Sequence, residues 1–285
     1  MAEGRAGVRV ARTRAELAAA LRALRGAGGL GLVPTMGYLH EGHLSLVDAA
    51  RRRAERVVVS IFVNPLQFGP SEDLGRYPRD LDRDLALLEA RGADLVFTPE
   101  VDAMYPEGDP IVRVGPGRLG EGLCGAFRPG HFEGVLTVVA KLFHLVEPDV
   151  AVFGAKDYQQ GILVRRMARE LDFPLEVELA PIVREPDGLA MSSRNAHLAG
   201  EDRARAASLY RGLSAAREAF RAGEPRASIL GTLVRRTVEE VGGRIQYVEL
   251  VDAETLALLE RARAGAVLAV AAHVGPTRLI DNVTL

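Results

Sequence analysis

Gly31-Leu-Val-Pro-Thr-Met-Gly-Tyr-Leu-His-Glu-Gly-His43 runs straight into Leu44-Ser-Leu-Val-Asp-Ala-Ala-Arg51. The stretch reads as a short apolar strand over Leu30–Val33, a tight turn carrying two histidines, and an amphipathic helix from about His43 to Ala54. A strand that turns directly into a helix leaves backbone N–H groups unpaired at the positive end of the helix dipole, which suits an anion. Gly37 and Gly42 allow the backbone to approach a ligand closely. A histidine at such a position tends to stay neutral, yet it still donates a hydrogen bond from one ring nitrogen. The competing reading is a capped turn with two solvated histidines.

The same alternation continues outward. Arg56–Val63 is β-branched and nearly all apolar, as in a strand buried on both faces of a parallel sheet. Asp94–Phe97, Val150–Phe153 and Leu175–Leu179 read as further short strands, and Ile111–Val114 as an extra one. Helical spacing covers Thr13–Arg25, Asp80–Arg91, Phe132–Val146 and Asp157–Leu171. Leu66–Arg79 and the glycine-rich Gly115–Gly130 read as loops. Strands alternating with such helices predict an α/β fold with a doubly wound parallel sheet, its binding crevice at the carboxyl ends of the strands. After Pro181 the pattern changes. Two Arg- and Ala-rich helices, Ala204–Ala222 and Pro225–Val241, precede strands at Arg244–Val251, Ala266–Ala272 and Thr277–Val283, which predicts a second, smaller α+β domain. The boundary falls near Ile182, giving domains 1–182 and 183–285.

Composition narrows the function. The chain has 285 residues, 48% hydrophobic, with a net charge of −2, so it supports a sizeable core and offers no global positive field for nucleic acid. Cys124 is the single cysteine, which excludes an intrachain disulfide and a Cys-rich zinc site. The opening Met-Ala-Glu-Gly-Arg lacks the layout of a signal peptide, and no apolar run reaches the roughly 18 residues of a membrane helix. These features lead us to expect a cytoplasmic protein. Of 36 basic residues only Lys141 and Lys156 are lysines. Where arginine is the habitual base, a retained lysine can mark a need for a compact ammonium; coding bias is the alternative.

Five stretches carry candidate chemistry. Pro34–His43 lacks both the dinucleotide and Walker glycine patterns, and its histidines are one residue too close for a zincin motif. Gly154-Ala-Lys-Asp-Tyr-Gln-Gln160 again opens a helix after a strand; Lys156 can neutralise phosphate charge, while Asp157 can simply cap the helix. Gln159 and Gln160 point about 100° apart, so at most one faces the crevice. Met191-Ser-Ser-Arg-Asn195, preceded by Val183, offers hydroxyls and a guanidinium for a polyphosphate. Gln67, in Asn64-Pro-Leu-Gln-Phe68, ends the second long strand. Arg128 and His131, in Arg-Pro-Gly-His-Phe132, are either ligands or loop-ordering residues. Asp80, Asp82 and Asp84 either hold a cation or stabilise a helix dipole. Cys124 has no adjacent histidine and is read as a non-nucleophile.

In this order the stretches resemble the pantothenate synthetase (pantoate–β-alanine ligase) family. The matching residues are Pro-Thr-Met-Gly-x-Leu-His-Glu-Gly-His at 34–43, Ile-Phe-Val-Asn-Pro-Leu-Gln-Phe at 61–68, Tyr-Pro-Arg at 77–79, Leu-Cys-Gly-x-x-Arg-Pro-Gly-His-Phe at 123–132, Phe-Gly-x-Lys-Asp-Tyr-Gln-Gln at 153–160 and Met-Ser-Ser-Arg-Asn at 191–195. The His turn also resembles that of the wider nucleotidyltransferase group, including class I aminoacyl-tRNA synthetases.

The resemblance implies a Rossmann-like domain over 1–182 that binds ATP and pantoate, a closing domain over 183–285, and a homodimer. It implies a two-step ligation: pantoate and ATP give pantoyl adenylate and pyrophosphate, then β-alanine displaces AMP. It places ATP on Pro34, Met36, Gly37, His40, Gly42 and His43, on Gly154, Lys156 and Asp157, and on Val183, Met191, Ser192, Ser193 and Arg194. His40, His43, Lys156 and Arg194 would be catalytic. Gln67 and Gln160 would bind pantoate, with Arg128 and His131 as further substrate contacts. Mg²⁺ is implied with ATP, with no protein ligand assigned. Two alternatives stand beside it: a nucleotidyltransferase acting on another small acceptor, which leaves Gln67 and Gln160 unexplained, and a non-catalytic nucleotide-binding module, which would not need Lys156 together with the two histidines and Arg194.

Overall fold

The structure is a computed structural model that describes residues 7–26, 28–70, 72 and 74–285. The opening Met1–Arg5 and positions 71 and 73 of the 66–79 loop, all read above from sequence, lie outside the described residues. In chain order the first elements are β1 (Arg9–Ala11), α1 (Arg14–Leu24), β2 (Leu30–Thr35), α2 (Glu41–Arg53), β3 (Arg56–Ile61), α3 (Leu81–Arg91), β4 (Leu95–Phe97) and α4 (Val101–Met104). They continue with α5 (Cys124–Phe127), α6 (His131–Val146), β5 (Val150–Gly154), α7 (Tyr158–Glu170) and β6 (Glu176–Ala180). The remainder is α8 (Gly200–Ala206), α9 (Ser208–Arg221), α10 (Ala227–Glu239), β7 (Arg244–Val251), β8 (Val267–Val274) and β9 (Thr277–Thr284).

Two compact units emerge. The first holds the described residues up to Pro116 together with Arg128–Gly154 and Leu163–Ala180. Its six strands form one parallel sheet in the order β1-β4-β3-β2-β5-β6. Leu32, Val33, Val57, Val58, Val59, Val96 and Val152 are fully buried. That is why these strands read as unbroken apolar runs: helices cover both faces of the sheet. Gly31 brings α2 close, since a Cβ there would stand 3.2 Å from the Ala50 methyl. From β2 the chain winds one way through β3 and β4, then crosses to β5 and β6 on the other side. The order therefore reverses between β2 and β5, and the crevice of an open α/β sheet lies at such a reversal. The His turn leaves the carboxyl end of β2.

The second unit holds Gly117–Phe127, Ala155–Ile162 and Pro181–Leu285. β7, β8 and β9 form an antiparallel sheet in that order. Leu209, Leu213 and Ala216 of α9 and Leu230, Val234 and Val238 of α10 pack with Val248, Leu268, Val270 and Ala272 in one buried cluster. Gly212 lets the two helices approach closely, because a Cβ there would meet Val234 Cα at 2.9 Å. Cys124, Tyr247 and Arg278 hold the 117–127 segment to the sheet: the Cys124 sulfur lies 3.2 Å from the Tyr247 hydroxyl and 3.3 Å from Arg278 Nη2.

The fold class agrees with the expectation from sequence, and several local readings need correction. Ile111–Val114 forms no strand: no neighbouring strand supplies a ladder, Ile111 is 100% exposed, and Arg113 is drawn aside to Asp109 and Glu133. Gly115–Gly130 is not featureless, since it contains a 3₁₀ turn at Gly117–Gly120 and α5. The helix expected from Ala204 is two, α8 and α9, breaking at Ala207. β1, at the sheet edge beside β4, is only three residues long and escaped the pattern. Among the described residues no helix is long and apolar enough to cross a membrane.

Candidate active site

The His turn is held by a device in which both histidines take part. His40 caps α2: its Nδ1 accepts from the Gly42 amide at 3.1 Å. His43 reciprocates, its Nδ1 accepting from the His40 amide at 3.4 Å. This is the logic of a capping box, carried out by two imidazoles whose centroids lie 4.1 Å apart. An Nδ1 that accepts a backbone N–H carries no proton there, so each neutral ring bears its hydrogen on Nε2, which is then the donor atom.

The turn before the cap is strained and clamped. Gly37 and Tyr38 both adopt the left-handed conformation, φ 82° and 50°. For tyrosine that costs on the order of 1 kcal/mol or more and persists only where the surroundings enforce it. Asp84 of α3 enforces it. Its buried carboxylate accepts from the Tyr38 amide and the Leu39 amide, both at 2.7 Å. Burial outweighs these bonds and holds the Asp84 carboxyl above the ordinary carboxylate range. Asp84 stands in the first turn of α3, as the dipole reading has it, and serves besides as an amide clamp. Asp80 caps α3, accepting from Arg83 N.

Gln67 sits on a 3₁₀ turn, Pro65–Gln67, seated against α6. Gly134 makes that seat, since a Cβ there would stand 2.3 Å from the Leu66 carbonyl oxygen. Asn64, buried, donates to the Gly134 carbonyl at 3.1 Å and to Gln67 Oε1 at 3.2 Å, and accepts from the Tyr105 hydroxyl at 2.8 Å. Burial pushes the Tyr105 phenol well up, so it remains a donor. The Gln67 amide donates to the Met36 sulfur at 3.1 Å, bringing two predicted site residues together. Arg128 and His131 converge on the same turn: Arg128 binds Glu72 through two nitrogens at 2.7 and 2.6 Å, and His131 Nδ1 lies 2.8 Å from the Gln67 carbonyl. Burial raises the Glu72 carboxyl, but the Arg128 hydrogen bonds and charge prevail and hold it below the ordinary value. These contacts of Arg128 and His131 order the Gln67 turn.

In the second unit, Lys156 lies in a 3₁₀ turn, Ala155–Asp157, that leads into α7. Its ammonium is 3.7 Å from Asp157. Of the adjacent glutamines, Gln159 is buried and committed: it accepts from the Cys124 amide and donates to the Leu119 and Gly122 carbonyls at 2.8 and 2.9 Å. Gln160 is half-buried. Val183 and Met191 are joined by a Met191 N to Val183 O bond at 3.0 Å, closing a hairpin whose outer end is 185–189. Ser192 caps the 3₁₀ turn Ser193–His197, accepting from Arg194 N at 3.3 Å. Asn195 ties that turn to the hairpin through Glu185 at 2.8 Å and Ala190 O at 3.1 Å.

Among the described residues no three His, Cys, Asp or Glu side chains converge on a possible metal ion. Sequence reasoning left the parts of Asp84 and Gln159 open and gave Asn64 none, because most of their partners are distant in sequence and leave no spacing to detect.

A family model, Pantoate-beta-alanine ligase, matches residues 9–284. Pantothenate synthetase 1 of Bradyrhizobium diazoefficiens is 54% identical, covering 95% of this chain and 96% of that protein. The pantothenate synthetase of Roseiflexus castenholzii is 52% identical, over 98% of this chain and 99% of its own. Among solved structures, pantothenate synthetase from Thermus thermophilus superposes with a TM-score of 0.91 at 51% identity, covering 97% of this chain and 99% of that one. Pantoate-beta-alanine ligase from Francisella tularensis, complexed with beta-gamma ATP and beta-alanine, gives 0.81 at 31% identity, covering 98% of both chains. With the match running almost from end to end, the chain belongs to the pantoate–β-alanine ligase family.

Proposed function

We propose that this enzyme joins pantoate to β-alanine in two steps driven by ATP, and that the paired Nε2–H donors of His40 and His43 act on the phosphates. The observation that carries the reading is the imidazole capping pair at the start of α2, at the carboxyl end of β2 where the sheet order reverses. In the first step a pantoate carboxylate oxygen bonds to the α-phosphorus, the bond from that phosphorus to the bridging oxygen breaks, and pyrophosphate leaves. Charge grows on the phosphate oxygens, where positioned donors and cations lower the barrier. His40 and His43 supply hydrogen bonds; Lys156 and Arg194 supply positive charge. In the second step the free amine of β-alanine bonds to the acyl carbon, the acyl–oxygen bond breaks, AMP leaves and the nitrogen loses a proton.

Pantoate is a polyol acid, which primary amides suit because they both donate and accept. Gln67 and Gln160 take that role, with Arg128 and His131 as further substrate contacts that also hold the Gln67 turn. Pro34, Met36, Gly37 and Gly42 on the His turn, and Gly154, Asp157, Val183, Met191, Ser192 and Ser193, contribute the remaining nucleotide contacts. Mg²⁺ would accompany the nucleotide and would supply charge neutralisation at its phosphates, with no protein ligand assigned. In the same scheme the ATP- and pantoate-binding domain is 1–182 and the smaller closing domain 183–285, with Gly117–Phe127 and Ala155–Ile162 grouped by their packing with the latter. The enzyme works in the cytoplasm as a homodimer; the two adjacent exposed side chains Ile111 and Val112, 100% and 86% accessible, are the apolar surface that supports self-association.

The deciding experiment offers purified protein ATP, Mg²⁺ and a panel of carboxylates, with and without β-alanine, and assays pyrophosphate and pantothenate. Pyrophosphate release with pantoate alone and pantothenate with both is the expected result. Turnover of another carboxylate and none of pantoate overturns the assignment. Lys156→Ala is expected to slow adenylate formation by about a hundredfold or more, roughly 3 kcal/mol of barrier, with its melting temperature unchanged. Adenylyl transfer to a different acceptor explains the His turn alone, whereas the family match spans residues 9–284.

A further inference from the structure

Two neighbouring side chains on the last strand, far in sequence from every motif, hold two of the nucleotide segments of the second unit together. Asn282 is buried, and its Nδ2 donates to the Ala155 carbonyl at 2.9 Å and to the Lys156 carbonyl at 3.1 Å. Both hydrogens of the amide are thus committed to the backbone that carries Lys156. Asp281, also buried, receives Arg184 through two nitrogens at 2.6 and 2.9 Å. Arg184 reaches on to the Asn282 carbonyl at 3.2 Å and the Gly188 carbonyl at 3.0 Å, and lies 3.8 Å over the ring of Tyr210. The Asp281 carboxylate completes the pair by accepting from the Asn282 backbone N–H at 2.8 Å.

Arg184 is the residue after Val183, and the hairpin it anchors ends at Met191, from which Asn195 ties the Ser193–His197 turn. One continuous set of hydrogen bonds therefore runs from the Lys156 backbone through Asn282 and Asp281 to Arg184, and from there to the turn that carries Arg194. Such planar, two-point contacts fix direction as well as distance. None of these four side chains needs to touch a substrate to matter.

We infer that Asn282 and Asp281 are positioning residues: they set the spacing between Lys156 and the Arg194 turn that adenylate formation requires. The inference rests on the two-step reading above. A misplacement of about 1 Å in a catalytic group can cost about a hundredfold in rate, and β9 is the element that prevents it here.

The test is Asn282→Ala, which removes both donors and keeps the strand, with Arg184→Lys as a second variant that keeps the charge beside Asp281 but loses the two-point geometry. Single-turnover pyrophosphate release from ATP and pantoate is measured alongside steady-state KM values and thermal melts. Asn282→Ala should slow pyrophosphate release about tenfold to a hundredfold, with KM for pantoate within about twofold of wild type. Arg184→Lys should show a smaller change of the same kind. A structural role alone would lower the melting temperature without separating kcat from KM. Pyrophosphate release within about twofold of wild type in both folded variants overturns the inference; if Asn282→Ala does not fold, Arg184→Lys decides alone. A wild-type protein that makes no pantothenate refutes the two-step reading instead, whatever the variants do.

Discussion

Asp84 shows how one buried carboxylate can shape a site it does not enter. Its two oxygens each take one amide of a turn whose residues 37 and 38 are both left-handed. Asparagine in its place offers one acceptor and turns an NH₂ toward the second amide. Asp84→Asn should therefore destabilise the protein by about 1–3 kcal/mol, read as a lower urea midpoint at unchanged slope. The pH dependence follows from the raised Asp84 pKa. A raised acid binds its proton more tightly in the folded state, so its contribution is complete below the unfolded value and is lost as pH rises through the folded one. The margin of wild type over Asp84→Asn should narrow as pH rises from about 4, the unfolded carboxylate value; a margin that widens would refute the sign. Sequence exposed His40, His43 and Lys156 because turns after strands are local patterns. It left Asp84 ambiguous and Asn282 unmarked because their partners lie dozens of residues away, and a long-range hydrogen bond has no period.

At the scale of elements, strands of the parallel sheet were legible because burial on both faces demands an apolar residue at nearly every position, as in Val57, Val58 and Val59. Ile111–Val114 misled for the converse reason. An apolar β-branched run is strand-like in composition, but a strand exists only where a neighbour completes its ladder. The seat of α6 on the Gln67 turn is a property of two elements jointly, and one glycine governs it. Gly134→Ala should raise helix propensity yet lower stability by about 1–3 kcal/mol, because the new methyl meets the backbone of Leu66 and Gln67. The same displacement, if it carries Gln67 about 1 Å away, should raise KM for pantoate about tenfold. A more stable variant with an unchanged KM would show that the turn yields without consequence.

Across the molecule, Ile111 and Val112 give the homodimer reading a direct test. Burying a large apolar side chain is worth about 1.5–3 kcal/mol. Replacing both by glutamate should weaken self-association about a hundredfold or more, seen as a monomer in sedimentation at concentrations where the wild type is dimeric. A dimeric double variant would place the interface elsewhere. Composition marks a change near Pro181, whereas the packing of 117–127 and 155–162 with the second unit depends on side chains such as Tyr247 and Asn282 that contact them from far along the chain and so leaves no mark in composition.

That passage bears on the order in which the protein is made. Lys156 leaves the peptidyl transferase centre 126 residues before Asn282. At about 5–20 residues per second the interval is on the order of 10 s. Once β6 has followed, for most of that time, all six strands of the parallel sheet have been synthesised, while the carbonyls of Ala155 and Lys156 have no Asn282 amide to receive. A nascent chain, or one cut short by a premature stop before β9, can thus carry a formed parallel sheet and an incompletely seated lysine. Adenylate formation therefore waits on β9, because the strand that seats the lysine is translated after the whole parallel sheet.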